Sequence, residues 1–182
     1  SLFACGIAEP MFLSEIDLAD FLYSVKDFLR AAEIYHRYMN IKEANPATFR
    51  YAECLYNSGQ YGNLLKWIET LNDSIREKNF IQQIEAYSNL YLGNLEKASS
   101  LFKELFEKNP NNFKYLVFYG MCQFRLGKED EAKKAYDAVK NRVNETADLA
   151  MLAGGYEFIG EWKVALELTY KALENDPNNP KA

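Results

Sequence analysis

Four glycines, Gly59, Gly93, Gly127 and Gly160, stand 34, 34 and 33 residues apart. An apolar segment precedes each one, and a polar turn and a second amphipathic segment follow. The texts are LYNSGQYGNLL, LYLGNLEKASSLF, FRLGKEDEAKKAY and FIGEWKVALELTY. A fixed period near this length restricts the chain to a stack of similar helical hairpins. The glycine supplies the left-handed backbone through which the chain leaves the first helix of each hairpin.

Aligned on the glycines, the chain divides without gaps into segments 45–78, 79–112, 113–145 and 146–179. One period back gives a fifth, 12–44, with Lys26 at the glycine position. Small residues return on the same schedule. Ala19, Ala52, Ala86, Gly120 and Ala153 share one position; Ala31, Ala98, Ala132 and Ala165 share another, where the second segment has Leu64. Small side chains let paired helices approach to about 8 Å, the short end of the usual range. Apolar residues between these points follow helical spacing, as in Leu101, Phe102 and Leu105. Pro110 and Pro177 are expected to end second helices. The fold class expected is all-α. Residues 1–11 are expected as an N-terminal segment or capping turn, and residues 12–182 as one repeat domain.

Composition removes several functions. The net charge is -5, with Lys and Arg interleaved among Asp and Glu. Phosphate binding needs a clustered basic face, so no nucleic-acid partner is expected. No apolar run approaches the roughly 20 residues that span a bilayer, so no transmembrane segment is expected. The three cysteines, Cys5, Cys54 and Cys122, show no CxxC spacing, and clustered ligands for a metal are missing from the linear pattern. Nucleophilic catalysis usually needs a histidine base, and the one histidine, His36, reads as a solvated side chain on a second helix. Glu104 with Glu107, and Glu129 with Glu131, read as solvated charge. Gly154-Gly155 is no phosphate loop, because neither a preceding strand nor a following Lys-Ser/Thr is present. The expectation is a non-enzymatic chain with no cofactor, no metal and no catalytic residue.

The repeats resemble the tetratricopeptide (TPR) family. The last segment carries the fullest pattern, in Leu152, Ala153, Tyr156, Gly160, Ala165, Ala172 and Pro177. Segments 79–112 and 113–145 match through Ala86, Gly93, Ala98, Phe102 and Pro110, then Gly120, Gly127, Ala132 and Tyr136. The first two are looser, with Glu43 and Arg76 in place of the terminal proline. The resemblance covers about residues 12–179. It implies a right-handed superhelical solenoid of about five antiparallel helix-turn-helix repeats. It also implies that first helices line a concave groove while second helices form the outer side. Carried over by position, the groove residues are Phe49, Arg50, Glu53 and Tyr56 in the second segment. They are Phe80, Gln83, Ile84, Tyr87 and Tyr91 in the third, Lys114, Phe118, Met121 and Arg125 in the fourth, and Phe158 in the fifth. One TPR subclass grips the C-terminal carboxylate of heat-shock chaperones with Lys, Asn and Arg on three successive first helices. No three successive repeats supply that set here. The groove is instead apolar and aromatic, which suits a partner peptide or helix with aliphatic or aromatic anchors. The implied function is a protein-interaction scaffold or adaptor.

Two other readings stand beside it. One is self-assembly, a homo-oligomer formed through the C-terminal repeat. Repeat stacks usually need a polar cap, and a face of Tyr156, Leu166 and Tyr170 would be covered by another subunit. The other is a docking domain of a larger enzyme or of a bacterial secretion or envelope protein. The apolar opening SLFACGIAEP reads as a short capping helix cut from a longer protein, or as the tail of a secretion signal. Thiols without an evident partner favour a cytoplasmic location.

Overall fold

The structure, a computed structural model, describes residues 14–175. The N-terminal segment 1–11, Cys5 and Pro177 lie outside the described residues. All regular elements among the described residues are helices: α1 (Glu15–Ser24), α2 (Phe28–Tyr38), α3 (Pro46–Asn57), α4 (Tyr61–Ile68), α5 (Asp73–Arg76), α6 (Asn79–Tyr91), α7 (Leu95–Lys108), α8 (Phe113–Arg125), α9 (Glu129–Asp137), α10 (Thr146–Phe158) and α11 (Trp162–Asn175). Ten of them pair as hairpins, α1 with α2, α3 with α4, α6 with α7, α8 with α9, and α10 with α11. The all-α class and the expected hairpin breaks are both present.

One backbone device makes all five hairpin turns. Gly59, Gly93, Gly127 and Gly160 have φ of 74°, 79°, 77° and 81°, and Lys26 has φ of 63°. At each turn the N–H of the positive-φ residue bonds the carbonyl three residues back, as Gly127 does with Phe124 at 2.9 Å. The following N–H reaches five residues back, as Lys128 does with Gln123 at 2.9 Å. This pair of bonds satisfies carbonyls that the helix end leaves open, and it requires the left-handed residue between them. Lys26 repeats the geometry, its N–H on Tyr23 at 3.0 Å and that of Asp27 on Leu22 at 2.8 Å. The turn therefore forms at Lys26 despite the β-carbon.

Helix starts follow from local chemistry too. Ser14 and Asp27 accept backbone N–H bonds at the starts of α1 and α2. Asn45 and Thr48 close a reciprocal cap at α3, with Pro46 in the first turn where its missing N–H costs nothing. Pro110 follows the end of α7, as expected. The short α5 was not foreseen. Asn72 Oδ1 accepts the Ile75 N–H at 3.1 Å, and Ile75 is buried.

Contacts divide the chain into two compact units, one ending at Ile75 and one beginning at Arg76. The core of the first joins Ala19, Leu22, Ala31, Ala32, Ile34, Tyr35, Ala47 and Cys54. In the second, Tyr136, Val139, Val143, Leu149, Leu152, Tyr156 and Leu168 form the centre of a larger cluster. The scheduled small residues Ala19, Ala31, Ala52, Ala86, Ala98 and Ala132 are all fully buried, and Leu64 is as well.

One expectation needs correction. Tyr156 does not share an exposed face with Leu166 and Tyr170. It is fully buried, and its hydroxyl donates to Asp137 at 2.6 Å. The residue four before each turn, Leu22, Leu55, Asn89, Gln123 or Tyr156, is buried in every repeat. Leu166 and Tyr170 are exposed, together with Trp162.

Candidate partner-binding surface

In the first unit the candidate residues lie on α3. Arg50 is exposed and holds two partners: its guanidinium bonds Glu53 at 3.1 Å and lies 4.3 Å from the centre of the Tyr23 ring. Phe49, Glu53 and Tyr56 are half-buried, and the Tyr56 ring meets Tyr61 edge-on at 5.6 Å. Beside them a hollow of about 440 Å³ is lined by Ile16, Asp20, Tyr35, Tyr38, Ala47 and Arg50, among others. The Tyr35 hydroxyl donates to Asp20. Burial first, and that carboxylate second, hold the Tyr35 phenol well above its usual pKa, so it remains a donor.

In the second unit the candidates lie on α6, α8 and α10, and they divide by burial. Ile84 and Tyr87 are buried. Tyr87 packs edge-on against Phe102 at 5.1 Å and against Phe118 at 5.0 Å, and Phe102 stacks on Phe118 at 5.3 Å. Met121 is half-buried against the core. These residues shape the face from beneath. Phe80, Gln83, Lys114 and Phe118 are half-buried, and Gln83 Oε1 accepts the Tyr115 hydroxyl at 3.3 Å. The Lys114 ammonium sits 5.2 Å from the Tyr87 ring centre and 6.0 Å from that of Phe118. Such contacts contribute about 0.5–1 kcal/mol at exposed sites. Arg125, Tyr91 and Phe158 are exposed.

At the α10 end of this face Phe124, Gly154, Glu157, Phe158, Ile159 and Trp162 line a hollow of about 510 Å³. Phe124 and Phe158 meet edge-on at 5.6 Å. Gly154 lies within α10, and a β-carbon added there would meet nothing within 4 Å. A glycine inside an exposed helix costs up to about 1 kcal/mol relative to alanine. Here it leaves bare backbone among aromatic rings. Trp162 was not among the residues expected from the sequence. It is the first residue of a second helix, and only the short turn brings it to this side.

Among the described residues no group of three or more His, Cys, Asp or Glu side chains is placed to hold a metal ion. Burial pushes the Cys54 thiol up to about 12 and the Cys122 thiol to about 11, so neither forms the thiolate needed for nucleophilic attack near neutrality. His36 is exposed, its ring 5.1 Å from that of Tyr51. Among the described residues no helix is long and apolar enough to cross a membrane.

The tetratricopeptide repeat family model matches residues 90–154, from the end of α6 into α10. Similar solved structures extend the comparison. One MamA crystal structure superposes with a TM-score of 0.68 at 15% identity, covering 94% of this chain and all of that one. MamA AMB-1 gives 0.62 at 19%, covering 90% of each chain. TTC0263, a thermophilic TPR protein in Thermus thermophilus, gives 0.62 at 21%, covering 90% of this chain and 91% of the other. No curated protein matches the sequence significantly. The tetratricopeptide resemblance read from the sequence is thus shown, in sequence over residues 90–154 and in fold over most of the chain.

Proposed function

We propose that this chain is a non-enzymatic protein-interaction scaffold. It holds a partner peptide or helix against the first-helix face of its second unit, with Phe80, Gln83, Tyr91, Lys114, Phe118, Arg125 and Phe158 as the contacting side chains. Phe49, Arg50, Glu53 and Tyr56 on α3 offer a further contact in the first unit. Ile84, Tyr87 and Met121 support the face. The hollow around Gly154 is the observation that carries this reading. Bare helix backbone, two aromatic rings and an exposed tryptophan suit a bulky apolar anchor, and Glu157 suits a neighbouring Lys or Arg. Residues 12–182 would act together as the repeat domain, in the cytoplasm or as the docking part of a larger protein.

Selection of a displayed peptide library on the protein tests this. The expected winners carry an aromatic or aliphatic anchor beside a basic residue, and they lose binding to Phe158→Ala and to Gly154→Leu, which fills the hollow. Winners indifferent to both substitutions would overturn the reading.

A second reading has its own observation. Trp162, Leu166 and Tyr170 stand four residues apart on α11 and are 65%, 54% and 60% exposed. An apolar stripe of this kind suits a second copy of the chain. Sedimentation should then show a concentration-dependent oligomer that Leu166→Lys with Tyr170→Lys dissolves. A monomer at all concentrations would exclude it.

A further inference from the structure

A cleft between a second helix and the next first helix recurs in register, and one copy of it is chemically unlike the other. In the first unit the cleft between α2 and α3 holds about 490 Å³ and is lined by Leu29, Ala32, Glu33, His36, Tyr51, Leu55 and Gln60. In the second unit a cleft of about 240 Å³ lies between α7 and α8. Its lining matches at seven positions, and Leu126 is added. Ser99 replaces Ala32, Lys103 replaces His36, Gln123 replaces Leu55 and Lys128 replaces Gln60, while Tyr119 stands where Tyr51 does. Glu96 takes the place of Leu29 and Ser100 that of Glu33, so each copy keeps one carboxylate. The three apolar residues of the first cleft, Leu29, Ala32 and Leu55, have become Glu96, Ser99 and Gln123.

The next repeat shows what self-sufficient polar groups look like at these positions. There Lys133 stands at the Ser99 position, Asp137 at that of Lys103, Tyr156 at that of Gln123, and Glu161 at that of Lys128. These four satisfy one another. Lys133 pairs with Glu161 at 3.3 Å and Asp137 at 3.7 Å, and the Tyr156 hydroxyl donates to Asp137 at 2.6 Å. The α7–α8 copy has no such closure. Gln123 is 7% exposed; its Nε2 donates to Ser99 Oγ at 2.8 Å, and its buried Oε1 has no partner. Turning the amide over would only exchange an unmatched acceptor for an unmatched donor. Leaving one such buried group unsatisfied costs about 1–3 kcal/mol. Lys103 and Lys128 make no ion pair among the described residues.

We infer that this cleft is a binding site for an acidic peptide segment. A peptide unit carries both a donor and an acceptor, so it can complete Gln123 in either amide orientation once that side chain turns towards the cleft, and a glutamate or aspartate carboxylate completes the two lysines. With a net charge of -5 the whole chain repels an acidic ligand, so attraction must come from this local arrangement. The site lies between the second helix α7 and the first helix α8, and it shares no residue with the contacting side chains proposed above.

The probe is acetyl-Glu-Glu-Glu-Glu-amide, titrated into the labelled protein and followed by amide NMR shifts. Saturable shifts centred on Ser99, Lys103, Gln123 and Lys128 are expected. Lys103→Gln with Lys128→Gln should weaken the probe by about tenfold or more, the loss expected for charged hydrogen bonds. Lys66→Gln should leave it unchanged. Gln123→Leu, which copies Leu55, should weaken it while the fold, read by circular dichroism, is kept. Shifts scattered over many lysines, or equal affinity in the double lysine variant, would overturn the inference. So would a Gln123→Leu variant that binds normally and melts higher, since the buried amide would then make no contact with the probe. Loss of the Phe158-dependent peptides leaves these outcomes untouched, so the two proposals fail separately.

Discussion

The ring of Tyr136 occupies the space that a side chain on Gly120 would take. A β-carbon at Gly120 would stand 2.3 Å from Tyr136 Cε1, and one at Gly155 would stand 3.1 Å from Cζ. The ring is fixed there, because its hydroxyl donates to the Val117 carbonyl at 2.8 Å and the side chain is fully buried. One tyrosine of α9 therefore lies against glycines of both α8 and α10. The small residue at the helix crossing, which the periodicity required, serves here to seat an aromatic ring.

Gly120→Ala should accordingly destabilise the fold by about 1–3 kcal/mol, the usual cost of overpacking a filled core. Gly154→Ala should do the opposite. Nothing lies near its added methyl, and replacing a glycine within a helix by alanine is worth about 0.5–1 kcal/mol. Urea unfolding of the two variants checks both signs. The same Gly154→Ala change should weaken partner binding, because it begins to fill the proposed hollow.

The turns give a second contrast. Lys26→Gly should stabilise the chain by about 1 kcal/mol, since it removes the penalty on a left-handed residue with a β-carbon. Gly127→Ala should cost about as much, on the same ground. Thermal melts of the two single variants would show shifts of opposite sign.

Stability should fall at alkaline pH. Burial raises the Cys54 thiol to about 12 and the Cys122 thiol to about 11, against an ordinary 9.0. It raises the phenols of Tyr35, Tyr136 and Tyr156 as well, with Asp20 and Asp137 adding to the first and last. In the unfolded chain these groups release protons earlier than in the folded one. Their stabilising effect is therefore complete below the ordinary thiol value and is lost as pH climbs through the folded ones. Melting temperatures recorded from pH 7 to 11 should be level at first and drop above about 9, the ordinary thiol pKa. Cys54→Ala with Cys122→Ala should move the onset upward.

The architecture was legible because few residues carry it. A left-handed turn needs glycine, so Gly59, Gly93, Gly127 and Gly160 marked the hairpins, and counting back one period located Lys26 without a glycine to show it. Tyr156 was misjudged because its type suggested a surface aromatic. Its register, four residues before a turn, was the better signal. The α5 turn was illegible, since it rests on one Asn72 side chain and four residues carry no period. The α7–α8 cleft was equally hidden. Gln123 and Lys128 look ordinary until they are set beside Leu55 and Gln60 in the first unit and the mutually bonded Tyr156, Asp137, Lys133 and Glu161 in the next repeat.

The most direct test of the scaffold is to locate a selected peptide on the labelled protein by intermolecular NOEs. The account predicts contacts from the peptide anchor to Gly154, Phe124 and Phe158 on α8 and α10. Contacts confined to α9 and α11, with none to Gly154, would contradict it.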